Sequence, residues 1–74
     1  MTDERKIALI AEVLDLDPEK LTPETELGTM EEWDSIALIS FIAMMDDQFG
    51  KVIKGSLVKE QQTVAGLMAL MEAD

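Results

Sequence analysis

An all-α domain is what this sequence predicts, and three observations carry the prediction. Apolar residues recur at helical spacing in three separated segments. Neither cysteine nor histidine occurs, so disulfides and Cys/His zinc sites are excluded and helix packing must carry the fold alone. Hydrophobic residues make up 47% of the 74, which excludes disorder as the main state. At this length folding removes only roughly 60% of the unfolded chain's surface from water. Residues 1–74 are therefore expected to form a single domain, without room for a deep active-site cleft.

The first helix spans 3–14. Ile7, Ile10, Ala11 and Leu14 fall within a narrow arc of the helix. Thr2 or Asp3 caps its start, and Asp3 and Glu4 complement the positive end of the helix dipole. Leu9 and Val13 lie off the stripe, so either the helix is buried broadly or these two cover a neighbouring loop.

From Asp15 to Trp33 the character changes. Pro18 and Pro23 push the residues before them out of helical geometry, and Asp, Glu and Thr dominate. A loop this long needs pinning, and Leu16, Leu21, Leu27 and Trp33 are spaced to reach the core. One short turn is expected at Pro18–Lys20. The acids invite a calcium reading, because Asp15, Asp17 and Glu19 alternate and Glu26 follows where an EF-hand loop places its last ligand. That reading fails on Lys20, which stands where the loop needs glycine for its sharp turn, and Pro23 and Leu21 worsen the fit.

The second helix, 35–49, is the strongest. Asp34 is its N-cap, Gly50 its stop, and Leu38, Phe41, Ile42, Met45 and Phe49 its inner face. Ile36, Ile39 and Ala43 occupy what should be a solvated face, interleaved with Ser40 and Asp47. Apolar residues beside acids suggest a docking surface, unless another helix covers them. Lys51–Gly55 reads as a basic connector, and Ser56–Glu60 as one short helical turn capped by Ser56. Thr63 caps the final helix, with Val64, Leu67, Met68 and Met71 inward, Gly66 weakening it slightly, and an acidic tail Glu72-Ala73-Asp74. Of the six methionines, Met45, Met68 and Met71 read as core and Met44 as a rim residue.

Sixteen acids against six bases leave a net charge of −10. Nucleic acid and anionic membranes are repelled, and basic protein partners are favoured. No apolar run reaches membrane-spanning length. The missing cysteines fit an intracellular chain, and the polar start Met1-Thr2-Asp3-Glu4-Arg5-Lys6 lacks the features of a secretory signal, so the cytoplasm is the expected location. Catalysis by Ser35 is not expected. Without His or Cys the usual activated nucleophiles cannot be assembled, and no pair of carboxylates stands out for acid/base work. A hydroxyl at a helix N-terminus is instead suited to modification by another enzyme, since the dipole end and its N–H groups favour an esterified phosphate.

With Trp33-Asp34-Ser35-Ile36 about midway, Phe49-Gly50 closing the helix that follows, and Thr63-Val64 opening the last, the chain resembles an acyl carrier protein of the phosphopantetheine-binding family. The resemblance covers nearly the whole chain. It implies a four-helix bundle with a long loop between helices 1 and 2 and a short third helix. It also implies that Ser35, next to Asp34, carries 4′-phosphopantetheine through a phosphodiester. A separate phosphopantetheinyl transferase would add the group from coenzyme A with magnesium, and its thiol would supply what the chain lacks. By the same resemblance Ile36, Ile39, Ala43, Asp46 and Asp47 match partner-facing positions, met by basic patches on acyl-loading and acyl-processing enzymes, and the carrier itself is a monomer. Ser40 stands where fatty-acid carriers usually have Glu, which weakens a housekeeping role, and Ile36 replaces the commoner Leu with a β-branched shape. The expectation is an acyl carrier of fatty acid, polyketide or related lipid biosynthesis. Peptidyl or aminoacyl carriers share the serine but are generally less acidic. An acidic helical interaction module, binding or dimerising through Ile36, Ile39 and Ala43 without a prosthetic group, is the competing class.

Overall fold

The computed structural model describes residues 2–72, excepting the side chain of Glu72. Four helices follow one another: α1 (Asp3–Leu14), α2 (Ser35–Phe49), α3 (Gly55–Lys59) and α4 (Val64–Glu72). Two 3₁₀ turns, Pro18–Lys20 and Leu27–Thr29, punctuate the long loop before α2. The four-helix expectation holds. The Ala73-Asp74 end of the expected acidic tail and the Glu72 side chain lie outside the described residues.

Thr2 caps α1, its hydroxyl accepting from the Arg5 N–H at 3.2 Å. At the other end Asp15 takes the left-handed conformation, φ 57°. Its N–H and that of Leu16 return to the carbonyls of Glu12 and Ala11, a Schellman closure without glycine. Asparagine and aspartate are the non-glycine residues that tolerate this geometry best. So Asp15 ends a helix rather than opening a cation loop. Leu9, Ile10, Ala11 and Leu14 are buried, and Val13 is half-buried, which settles the sequence ambiguity in favour of a broadly buried helix. Lys6 is buried too, its Nζ 3.8 Å from the Asp3 carboxylate.

The loop is tied down from both sides. Leu21 and Leu27 are buried, while Leu16 and Trp33 pack against the core at its edge. Across the molecule, Leu27 N–H donates to the Gln62 carbonyl at 2.8 Å, and Glu26 and Thr63 form an antiparallel bridge. Loop carbonyls then take the first N–H groups of α4, Val64 donating to Thr25 at 3.0 Å and Ala65 to Pro23 at 2.9 Å. The open end of a helix is thus satisfied by a distant loop rather than by its own cap. Thr63 still contributes, accepting from the Gly66 N–H at 3.4 Å. Gly66 lies against the Gln61 side chain, which would have to shift to admit a Cβ there.

Every segment sends at least one fully buried side chain into a shared centre. Ile10 comes from α1, Leu27 from the loop, Phe41 and Met45 from α2, Val58 from α3, and Val64 and Leu67 from α4. On α2 the inner face is centred on Ala37, Phe41 and Met45, with Leu38, Ile42 and Phe49 only partly buried beside it. Ala37 was not among the expected core residues, being small and next to the exposed Ile36. Met45, Met68 and Met71 are core, as expected, and Met44 is at the rim.

One expectation is corrected. Ser56 does not cap α3: the helix begins at Gly55, and Lys54 precedes it without a side-chain cap bond. Gly55 packs beside Ile42 of α2 at ordinary contact distance. One turn later Lys59 shares a pocket with Leu38, one turn earlier in α2. The short helix therefore brings its last residue to the pocket at α2's beginning.

Candidate functional site

The site begins with the cap of α2. Asp34 is in extended geometry and its Oδ1 accepts from the Ala37 N–H at 2.9 Å, while its carbonyl accepts from Leu38 at 3.0 Å. The N–H groups of Ser35 and Ile36 are left without a partner among the described residues. Two donors and the positive end of a 15-residue helix therefore surround the Ser35 hydroxyl.

The approach to that serine is held by Trp33. Its ring meets Phe41 edge-on, centroids 6.3 Å apart and planes at 75°, which anchors the loop end onto the core one residue before the cap. Ser35 itself is exposed, and no described group hydrogen-bonds its hydroxyl. Beside it lies an open pocket of about 250 Å³, lined by Trp33, Asp34, Ser35, Leu38 and Lys59. Asp34→Ala is expected to cost about 1 kcal/mol of stability through the lost cap, seen as a lower urea midpoint with the slope unchanged.

The other two serines differ in setting. Ser40 is half-buried in the middle of α2, and Ser56 lies on the five-residue α3. Neither begins a long helix.

Ile36, Ile39, Ala43, Asp46 and Asp47 are all exposed, Ile36 by 74% and Ile39 by 65%. On the helical wheel the five fall within about 100° of arc. No helix among the described residues covers them, so the alternative of a buried second face does not apply. Ala43 and Asp47 border a groove of about 360 Å³ between α1 and α2, with Ser40 and Met44 beside them. The residue that sequence reasoning missed is Lys59. It stands far from Ser35 along the chain, and only the packing of α3 brings the two to one pocket.

These features fit a phosphate ester: an accessible hydroxyl, unused N–H donors at a helix start, and an ammonium lining the same pocket. No curated protein and no solved structure matches the chain. The family model described as "Phosphopantetheine attachment site" matches residues 7–71. That span runs from the second turn of α1 to the last turn of α4, and the chain therefore belongs to this family of carrier domains, which bear 4′-phosphopantetheine covalently on a serine.

Proposed function

We propose that the chain is an acyl carrier protein bearing 4′-phosphopantetheine on Ser35. The observation that carries the reading is that, of the three serines, only Ser35 is an exposed hydroxyl at the start of a long helix, beside a pocket. When bound, the arm supplies a thiol on which acyl groups travel as thioesters. The chain's own part is position and recognition: Asp34 fixes the first turn of α2, Trp33 fixes the loop that leads to it, and the exposed face is offered to partners.

That face, Ile36, Ile39 and Ala43 with Asp46 and Asp47 at its edge, is the proposed docking surface. Apolar side chains this exposed contribute contact area, and the carboxylates steer basic patches on the transferase and on acyl-loading and acyl-processing enzymes. The net charge of −10 favours acyl over aminoacyl cargo on the family's general tendencies. Fatty acid, polyketide or related lipid biosynthesis is the proposed setting, and the cytoplasm the proposed location.

Incubation with coenzyme A, Mg²⁺ and a broad-range phosphopantetheinyl transferase tests the reading. Intact mass should rise by one phosphopantetheinyl group, and fragmentation should place it on Ser35. An unchanged mass with several transferases, or a group on Ser40 or Ser56, would sink it.

A further inference from the structure

The pocket beside Ser35 has one cation among its lining residues, Lys59, and one anion, Asp34, whose Oδ1 is occupied as the cap of α2. We propose that Lys59 is the arm-positioning residue of this carrier, its ammonium pairing with the phosphate esterified to Ser35. The inference rests on the reading of Ser35 as the attachment point.

Three observations lead to it. The first is placement: α3 packs against α2, with Gly55 beside Ile42, and its fifth residue, Lys59, lines one pocket with Leu38 and Ser35. The second is availability. Lys59 is exposed, and no described group forms a hydrogen bond or ion pair with its ammonium. The third is charge. A phosphodiester adds another negative charge to a chain already at −10. It does so where Glu31, Glu32 and Glu60 are close in sequence to the pocket's residues. Lys59 would add a mobile positive charge to the helix-start donors that already favour a phosphate there. Lysine suits the task, because its ammonium is a point charge on a flexible stem and can follow a phosphate that keeps its water.

The consequence concerns where the arm begins its path. A pairing to α3 would turn the phosphate toward the α2–α3 side of the bundle and away from the α1–α2 groove. An exposed pair is worth little to stability, so its effect lies in orientation rather than folding.

Competitive acetylation of the apo and loaded forms with limiting acetic anhydride tests this directly, with intact mass confirming loading. Acetylation of Lys59 should fall about two- to fivefold on loading, as expected for an exposed ion pair, relative to Lys51 and Lys54. In the loaded protein the ³¹P resonance should move in Lys59→Gln, stay close to wild type in Lys59→Arg, and be unaffected by Lys54→Gln. Equal Lys59 acetylation in both forms, or a ³¹P resonance indifferent to Lys59→Gln, overturns the proposal while leaving Ser35 as the attachment point. A mass that does not rise, or a group placed elsewhere, overturns both.

Discussion

Ser35→Ala is expected to abolish phosphopantetheine loading while leaving the helical fold in place. The hydroxyl is exposed and unbonded among the described residues, so its removal strands no partner. The cap of α2 comes from Asp34, not from Ser35, and alanine is the better helix former at the first helical position. Stability should therefore stay within about 0.5 kcal/mol of wild type, as for surface substitutions that break no special feature. Ser40 and Ser56 remain in the variant. The first is half-buried in mid-helix and the second lies on a helix of five residues, so neither should accept the group in its place. Intact mass before and after transferase treatment, paired with a thermal melt, reads both halves. Residual loading with an unchanged melt would move the attachment point elsewhere.

The second large effect is structural. Phe41→Ala should cost about 3–5 kcal/mol, the range for emptying a fully buried phenylalanine site. Phe41 has no exposed surface, and small domains have about 5 kcal/mol to lose at the lower end of the usual range. The variant should be largely unfolded or close to it. Its effect would reach the functional end as well, because Trp33 loses the ring it meets edge-on and with it the anchor of the loop before the cap. Trp33 is the sole tryptophan, so its fluorescence during urea unfolding follows this contact without labels. A midpoint within experimental error of wild type would show that Phe41 is not the centre of the core.

The parts of this molecule that depend on local pattern were legible before any coordinates. The bounds of α1 and α2 follow from apolar periodicity flanked by Thr2, Asp34 and Gly50, each of which acts as a cap or stop in the structure. Val64, Leu67, Met68 and Met71 form the buried stripe of α4 for the same reason. Failures arose where local pattern runs out. Five residues are too few to show a period, and nothing in the neighbouring sequence marks Gly55 as the start of α3. The turn at Leu27–Thr29 was likewise unforeseen, since it forms where Leu27 is drawn to Gln62 across the bundle. At the site, Asp34 and Ser35 announce themselves by adjacency, whereas Lys59 joins them only through tertiary packing.

The bridge between Glu26 and Thr63 bears on when the site comes into being as the chain is made. The loop leading to Ser35 finds its partners in residues 62–65, which follow it by roughly half the domain. Closing so long a loop is entropically costly until the last helix is present to reward it. During synthesis the serine emerges early, but its supporting loop can settle only after α4 has followed. A modifying enzyme that requires the settled loop would thereby act on finished domains and pass over nascent ones.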